Sequence, residues 1–271
     1  MPPVISLVFP TYNAGPAIEN TWSAACDFLR VRPDPWEVIF VCDGCTDGTP
    51  ERLDELVAET GDSRFRVIRY SPNRGKGYAV RVGLLAARGE WRVFTDVDLA
   101  YHFGDIARVA DELQMGAAVA VASREHPESQ IQLAPQHLGY AYRRRHQSQV
   151  FGTLARLLLP LSFPDTQAGL KGMTATVAEQ VLPNLRCDGF GFDCELLTAC
   201  ARYAIPVTEL PVCVRYDDAA TSTGGLKTVV RMVRELWRIR RRWPATGFPA
   251  PTSVFISART RPRVAAMSRV A

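Results

Sequence analysis

Short apolar runs alternate with helix-like segments through the first hundred residues, and this alternation limits the fold more than any other feature of the chain. The runs predict buried strands at 4–9, 37–41, 65–70 and 92–98. The segments between them predict helices at 17–29, 50–60 and 78–88. This order is typical of a parallel sheet with helices on both faces. We therefore predict an α/β fold with a Rossmann-like, mostly parallel central sheet.

The loops that follow these four strands form the predicted ligand site. In open α/β sheets, ligands bind beyond the carboxyl ends of the strands. The loops are rich in turn residues and lie at 11–15, 43–49, 73–77 and 96–98. Because the carboxyl ends of parallel strands share one edge of a sheet, we expect the four loops to converge there.

Asp96 and Asp98 end the fourth predicted strand. Side chains alternate between the two faces of a strand, so two acids separated by one residue can point the same way. Paired carboxylates suit Mg²⁺ or Mn²⁺, especially where phosphate oxygens complete the coordination. An ordinary turn or a helix cap is the alternative interpretation of these acids.

The loop at 73–77 places two cations, Arg74 and Lys76, among glycines at the start of a helix. Backbone N–H groups and the helix dipole favour a phosphate at such a position. The spacing is not that of a Walker A loop. The alternative is a loop that needs a positive φ and carries solvated charges.

Composition narrows the class of protein. The 271 residues are 47% apolar, enough for one large α/β domain or two small ones, and a net charge of +4 is too mild to predict a nucleic-acid partner. Seven cysteines and no secretory signal at the start predict a cytoplasmic location with free thiols. The pair Cys42 and Cys45 has no second pair at zinc-finger spacing. No apolar run is long enough to predict a transmembrane helix.

The second half of the chain is less regular. It predicts strands at 117–122 and 207–216, a long polar loop at 125–139, a loop with a short strand at 165–173, and helices at 106–113, 140–159, within 191–203 and at 226–243. The last helix combines an apolar stripe that includes Leu236 and Trp237 with a strongly basic face. Such a helix either binds an anionic membrane surface or packs on the core, and the sequence leaves both open. The basic, proline-containing tail at 244–271 is predicted to be disordered.

Seven ordered segments between residues 4 and 243 together resemble the inverting nucleotide-sugar glycosyltransferases of family 2. The segments lie at 9–13, 43–49, 73–81, 96–98, 123–124, 165–171 and 192–197. Each is modest alone, and their joint order carries the resemblance. Within the family, the chain is most similar to polyprenyl- and dolichyl-phosphate hexosyltransferases, above all the dolichyl-phosphate β-glucosyltransferase type.

The resemblance implies a GT-A fold, with a nucleotide-sugar-binding half at 1–122 and an acceptor half with the amphipathic helix at 123–243. It also implies that Asp96 and Asp98 bind the metal, Mg²⁺ or Mn²⁺, which would neutralise the departing nucleoside diphosphate. The residues implied to contact the donor are Pro10, Tyr12, Asp43, Arg74, Lys76, Asp96 and Gln167.

The nucleophile decides which further residues are needed. An alcohol needs a general base, whereas a phosphate monoester is mostly a dianion at neutral pH and needs cations instead. Arg124 and the basic run around Arg144 supply cations, and Ser148 falls on the helical face of Arg144. In the resembled enzymes such an Arg and Ser hold the lipid phosphate. A solvated basic face is the alternative.

Three carboxylates, Asp165, Asp193 and Glu195, could serve as a base or orient the acceptor, and each could equally be structural. The residues expected to act in catalysis are Asp98, Arg124, Arg144 and Asp165. Those expected to bind the acceptor are Arg124, Arg144, Ser148, Asp193 and Glu195.

The predicted function is metal-dependent, inverting transfer of a hexose, best glucose, from a nucleotide sugar, best a UDP-sugar, to a polyprenyl or dolichyl phosphate. The enzyme is expected in the cytoplasm, peripheral on the membrane through the helix from Leu226 to Trp243, with no nucleic-acid partner. The alternatives are transfer to a hydroxyl acceptor with a carboxylate base, and a non-catalytic nucleotide-sugar-binding module. Departures from the family pattern at Ala14, Cys42, Ala100 and 221–224 leave the donor's identity open.

Overall fold

The computed structural model describes residues 3–32, 34–133, 138–216, 226–244 and 255–257, and only the backbone of 133, 138, 140–147, 216, 226–230 and 255–257. The strands are β1 (Ile5–Thr11), β2 (Trp36–Asp43), β3 (Phe65–Tyr70), β4 (Trp91–Phe94), β5 (Val119–Ser123), β6 (Gln130–Leu133), β7 (Lys171–Thr174), β8 (Val207–Pro211), β9 (Cys213–Tyr216) and β10 (Phe255–Ser257). The helices are α1 (Ala17–Arg30), α2 (Thr49–Thr60), α3 (Lys76–Ala86), α4 (Phe103–Gln114), α5 (Leu138–Leu158), α6 (Ala175–Val181), α7 (Phe192–Arg202) and α8 (Leu226–Arg242), with a 3-10 turn at Leu182–Asn184.

Within these residues, eight strands form the main sheet in the order β10-β8-β5-β7-β4-β1-β2-β3. Neighbouring strands are parallel except at β7, which is antiparallel to both β4 and β5. The helices cover both faces of this sheet. The predicted α/β fold with a mostly parallel central sheet is therefore confirmed.

Alternate residues of the central strands face two different helical layers. Leu7 and Phe9 of β1 pack with α1, α2 and α4, whereas Val8 packs with α3, α6 and α7 on the opposite face. Every residue of β1 and β2 is buried, as expected for strands covered on both sides. The two packed layers hold the strand ends, and therefore the loops that follow them, in fixed positions.

β4 is shorter than the predicted strand at 92–98. Its last inter-strand bond runs from the Thr95 N–H to the Val8 carbonyl at 3.1 Å, and the Leu99 N–H then reaches back to the Asp96 carbonyl at 3.4 Å. Asp96 and Asp98 therefore lie in a turn beyond the strand, with Leu99 in the left-handed region at φ +52°. The argument that alternating strand faces align the two acids is wrong, because neither belongs to the strand.

The predicted strand at 207–216 is two strands in two sheets. β8 joins the main sheet, whereas β9 pairs with β6 in a separate, two-stranded parallel sheet. The chain changes sheets at Val212, whose N–H donates to Ser129 Oγ at 3.0 Å and whose carbonyl accepts from the Gln130 N–H at 2.9 Å. β6 also contradicts the prediction of a loop throughout 125–139.

The predicted disorder of the tail at 244–271 is wrong for β10, which pairs with β8 at the edge of the main sheet. Residues 245–254 and 258–271 lie outside the described part of the chain. In the part that is described, none of the helices combines the length and the apolar composition needed to cross a membrane.

Candidate active site

One cavity of about 850 Å³ lies where the loops after β1, β2, β3 and β4 meet. Each of the four loops contributes lining residues, so the convergence expected from the sequence is confirmed. The predicted site residues in its wall are Pro10, Tyr12, Asp43, Arg74, Lys76, Asp96, Asp98 and Glu195.

Asp43, the last residue of β2, is buried and fixes the loop after β3. Its carboxylate accepts hydrogen bonds from the backbone N–H groups of Arg74 at 2.7 Å and Gly75 at 2.8 Å, and from the Asn73 side-chain amide at 3.0 Å. Gly44 follows at φ +63°, so close to the backbone of Asn73 that a Cβ would overlap it. The turn after β2 and the loop after β3 therefore form one unit.

Lys76 is the first residue of α3 and pairs with Asp96. Its Nζ lies 2.5 Å from Asp96 Oδ1. Burial would lower the pKa of Lys76, but the carboxylates of Asp96 and Asp193 outweigh burial and the pKa is raised. Lys76 is therefore a permanent cation at a helix N-terminus that already favours anions.

Arg74 is held from two sides at the cavity wall. Its guanidinium carbon lies 3.7 Å from the centre of the Tyr78 ring, and its NH2 lies 3.5 Å from Asp188 Oδ2. Asp188 also pairs with Arg81 at 2.6 Å. Tyr12, directly after β1, is 53% exposed and lines the cavity.

Asp96 and Asp98 differ in how the protein holds them. Asp96 packs against Gly169, where a Cβ would overlap the carboxylate, whereas Asp98 is exposed and accepts a hydrogen bond from the Ala100 N–H at 3.1 Å. Among the described residues, no three His, Cys, Asp or Glu side chains are grouped so as to bind a metal ion by themselves. Both acids are in the cavity wall, and two carboxylates completed by phosphate oxygens are a ligand set that Mg²⁺ takes.

A second cluster is built around the buried Asp165. Arg124, directly after β5, donates to its two oxygens from Nε at 2.7 Å and NH2 at 2.8 Å, and the backbone N–H groups of Arg124 at 2.9 Å and Gln167 at 3.0 Å complete the set. Burial would raise the pKa of Asp165, but the charge and hydrogen bonds of Arg124 outweigh it and the pKa falls to about 2. Ser148 Oγ accepts from Arg124 NH2 at 3.1 Å. Four predicted residues therefore meet here, outside the wall of the cavity.

The loop from Asp165 to Leu170 connects this cluster with the cavity. At its far end Gly169 touches the Asp96 carboxylate, and the Gly169 N–H donates to the Tyr101 hydroxyl at 3.2 Å. Burial raises the pKa of Tyr101, so the hydroxyl stays protonated. Arg144 lies on α5 one turn before Ser148, as its spacing predicts, but its side chain lies outside the described residues.

Asp193 and Glu195, in the first turn of α7, are both engaged by the protein. Asp193 Oδ1 lies 2.6 Å from Lys171 Nζ, and both residues are buried. Glu195 accepts from the backbone N–H groups of Arg186 at 2.8 Å and Cys187 at 2.6 Å, and from the Trp243 indole at 3.3 Å. These bonds hold the loop at 186–190 along the cavity.

Sequence reasoning missed that α8 forms part of the cavity wall. The lining residues from α8 are Arg231, Glu235, Arg238, Ile239 and Arg242. Glu235 accepts from the Gly191 N–H at 2.8 Å, and a Cβ at Gly189 or Gly191 would crowd its carboxylate. The four charged positions recur at intervals of four, three and four residues, which is one face of a helix. This spacing was the signal in the sequence that could have identified a charged face of α8.

The described part of α8 packs on the core. Leu236 and Ile239 are buried, whereas Trp237 is 56% exposed, with the Arg241 guanidinium 5.0 Å from its ring. Placing Trp237 in the same apolar stripe as Leu236 was therefore wrong. The predicted membrane contact stays a prediction, now confined to the exposed side of the helix.

The sequence profile of Glycosyl transferase family 2 matches residues 6–182. The chain belongs to this family. Similar proteins include the dolichyl-phosphate β-glucosyltransferase of Saccharomyces cerevisiae, 29% identical over 251 residues that cover 87% of this chain and 74% of that one. The human dolichyl-phosphate β-glucosyltransferase is 32% identical over 221 residues, covering 77% of this chain and 66% of that one. This family 2 glycosyltransferase is therefore an enzyme of the predicted class.

The fold also matches solved structures. Glucosyl-3-phosphoglycerate synthase from Mycobacterium tuberculosis, in complex with UDP, aligns with a TM-score of 0.62 at 19% identity, over 92% of this chain and 82% of that one. At this identity the likeness shows the fold alone. The predicted GT-A fold is confirmed.

Proposed function

We propose that this family 2 glycosyltransferase transfers glucose from UDP-glucose to a polyprenyl phosphate of the dolichyl type, with inversion at the anomeric carbon. The relatives named dolichyl-phosphate β-glucosyltransferase support this choice of sugar and acceptor. The observation that carries the proposal is that two charged clusters stand side by side. Lys76 and Asp96 lie in the cavity, and Arg124 and Asp165 lie at the other end of the loop that contains Gly169.

The cavity is the proposed donor site, and residues 1–122 the donor half. Arg74 and Lys76 supply two positive charges for a diphosphate. The exposed ring of Tyr12 offers an apolar face for the uracil base. Asp96 and Asp98 would hold Mg²⁺ or Mn²⁺, which when bound neutralises charge on the departing UDP.

Arg124 is the proposed ligand of the acceptor phosphate, in the acceptor half at 123–243, and Asp165 is its positioning residue. A bidentate pair fixes the plane of a guanidinium as well as its place. Ser148 adds a hydroxyl at 3.1 Å from the same guanidinium, and Arg144 stands one turn earlier on α5. This arrangement suits an anionic acceptor.

The alternative acceptor, a hydroxyl group, would need a carboxylate base. Asp165 has a pKa of about 2 and accepts four hydrogen bonds, Asp193 pairs with the buried Lys171, and Glu195 holds two backbone N–H groups. All three carboxylates are thus bound by groups of the protein itself. A carboxylate bound in this way is a poor base, so the arrangement favours an acceptor that is already ionised when it binds.

In the proposed reaction an oxygen of the acceptor phosphate attacks the anomeric carbon from the face opposite UDP. The new C–O bond forms as the bond from that carbon to the β-phosphate oxygen breaks, and UDP departs with the bonding electrons. No proton has to be removed, because a phosphate monoester with a second pKa of about 6 is mostly a dianion at neutral pH.

The enzyme would meet its lipid acceptor at the cytoplasmic face of a membrane. The exposed side of α8 supports this, since Trp237 lies there between Arg234 and Arg241, which are also exposed. An indole suits the membrane interface, and arginines attract anionic head groups.

The experiment offers the purified full-length protein radiolabelled UDP-glucose, Mn²⁺ and either a polyprenyl phosphate or the matched polyprenol. We expect labelled lipid from the phosphate only, and none after the metal is chelated. Labelling of the alcohol but not the phosphate would establish the hydroxyl-acceptor alternative. Absence of both transfer and slow UDP-glucose hydrolysis would leave the non-catalytic alternative standing.

A further inference from the structure

Two thiols flank the residues that organise the proposed donor site. Cys42 is buried near the end of β2, and Cys45 is half-buried in the turn that follows. Between them lie Asp43 and Gly44, which hold the loop at 73–75. The C-x-x-C spacing is thus built into the frame of the cavity, and the reaction proposed above uses neither sulfur.

The two sulfurs contact each other, and Cys45 has two further polar neighbours. The Cys42 and Cys45 side chains are hydrogen-bonded to one another, and the Asn13 N–H donates to Cys45 Sγ at 3.4 Å. When protonated, Cys45 donates to the Thr11 carbonyl at 3.5 Å. Donors that converge on one sulfur stabilise its thiolate.

Cys45 differs in this respect from the other cysteines. Hydrogen bonds from Cys42 and Asn13 outweigh burial and lower the pKa of Cys45 to about 7. The contact with Cys45 raises the pKa of its neighbour, and burial raises the pKa of the remaining thiols, which are Cys26, Cys187, Cys194, Cys200 and Cys213. A partly exposed sulfur that ionises near neutral pH, with a second sulfur in contact, has the features of a redox-sensitive pair.

We propose that Cys42 and Cys45 form a redox switch on donor binding, closed by a hydroperoxide and reopened by a thiol. The Cys45 thiolate attacks one oxygen of hydrogen peroxide, the O–O bond breaks, and Cys45 becomes a sulfenic acid. The departing hydroxide takes up the proton that the Cys45 thiol released to solvent on ionising and leaves as one water. Cys42 then attacks the Cys45 sulfur, an S–S bond forms, and the sulfenic oxygen leaves with the Cys42 proton as a second water. Two thiols are oxidised to one disulfide, and one peroxide is reduced to two waters.

The disulfide would act on the site through Asp43 and Gly44. It draws the two sulfurs together to about 2.05 Å, which moves the backbone on both sides of these residues. Gly44 already lies against Pro72 and Asn73 without room for a Cβ, so the movement passes to the loop that carries Arg74 and Lys76. The inference rests on the proposed function, because it takes the cavity as the donor site.

The test treats the full-length protein with hydrogen peroxide, identifies the disulfide by mass spectrometry of non-reduced peptides, and measures binding of UDP with Mn²⁺ by calorimetry. We expect a Cys42–Cys45 disulfide, a loss of UDP affinity on the order of tenfold, and recovery with dithiothreitol. C45S, compared with its own untreated form, should not respond to peroxide. C42S, compared in the same way, should form no disulfide and keep its UDP affinity, although its Cys45 can still become a sulfenic acid. C213S, a control at another half-buried thiol, should respond as the wild type does.

Absence of the disulfide, or an unchanged UDP affinity in protein that contains it, would overturn the switch. Untreated protein that binds no UDP would instead overturn the assignment of the cavity to the donor, and with it the effect on binding. The two failures are distinguishable, because the mass spectrum reports the disulfide whether or not UDP binds.

Discussion

Asp165 begins the 165–170 loop, and Asp96 touches the far end of this loop at Gly169. The two acids form ion pairs of different kinds. Asp165 is 5% exposed and accepts two side-chain and two backbone hydrogen bonds, with a pKa of about 2. The Asp96 side chain is 33% exposed, and its ion pair with Lys76 joins one oxygen to one nitrogen at 2.5 Å.

The difference separates a positioning role from a binding role. A carboxylate with its acceptor sites occupied has no capacity for a ligand and holds its arginine in one place. A carboxylate paired once, at the wall of a cavity, can still bind a cation. We therefore call the Arg124–Asp165–Ser148 group the closed cluster, and the Lys76–Asp96–Asp98 group the open cluster.

The largest expected effect is on the open cluster. Asp98→Ala should lower transfer at least 10³-fold, about 4 kcal/mol, because a cation that neutralises UDP would lose one of its two ligands. The free energy of unfolding in urea should fall by less than about 1 kcal/mol, since Asp98 is exposed and its bond from the Ala100 N–H lies at the surface. Turnover within tenfold of the wild type would remove the open cluster from the chemistry.

In the closed cluster, we expect a substitution to lower the stability of the fold. Asp165→Ala should destabilise the fold by about 3 kcal/mol in urea unfolding, because it removes the bidentate carboxylate partner of the largely buried Arg124. The matched control is Asp27→Ala, which breaks the exposed Arg30–Asp27 pair and should cost less than about 0.5 kcal/mol. Equal small losses in both variants would break the distinction between the clusters.

Acid should weaken the closed cluster selectively. The pKa of Asp165 in the folded protein, about 2, lies below the ordinary aspartate value of about 3.9. The ionised Asp165 therefore stabilises the fold fully above the ordinary value, and this stabilisation is lost as the pH falls through both values. The loss is about 2–3 kcal/mol. The difference in unfolding free energy between wild type and Asp165→Asn should therefore shrink between about pH 5 and pH 2. A constant difference would contradict the lowered pKa.

Most of the open cluster could be predicted because its residues directly follow strands. Apolar runs locate Asp43, Asp96 and the loop at 73–77, and parallel topology brings the loops together. The partners within the closed cluster could not be predicted. Arg124 and Asp165 are 41 residues apart, and no local pattern specifies which acid meets which arginine.

The same limit explains the missed wall of α8. Its basic face is evident in the sequence, but whether the face meets a membrane or the cavity depends on Glu235 and Gly191, which are 44 residues apart. The break at Val212 is hidden for a related reason. An alternating pattern continues through 207–216 while the hydrogen-bond partners change from one sheet to the other.

Gly169 offers a way to disturb the open cluster without dismantling the closed one. Gly169→Ala would place a Cβ against the Asp96 carboxylate, a side chain that can move aside. We expect transfer to fall about 10- to 100-fold, or about 1.4–2.7 kcal/mol, with less than about 1 kcal/mol lost in unfolding. Gly104→Ala, on α4 with open space around it, is the matched control. Full activity of Gly169→Ala would show that the position of Asp96 is not critical.

The smallest expected effect is at Arg74, which shares one feature with each cluster. Its guanidinium stacks on Tyr78 and is thereby held in place, like Arg124 in the closed cluster. Arg74 also lines the cavity, like the residues of the open cluster. Arg74→Lys keeps the charge and loses the planar stacking, so the dissociation constant for UDP should rise about two- to fivefold, equivalent to about 0.5–1 kcal/mol. Calorimetry with Mn²⁺ measures it, and Arg69→Lys, whose partner is the exposed Asp54, serves as the control. Equal affinities in both variants would assign Arg74 to the frame of the site, because only a cation that touches the donor is sensitive to this exchange.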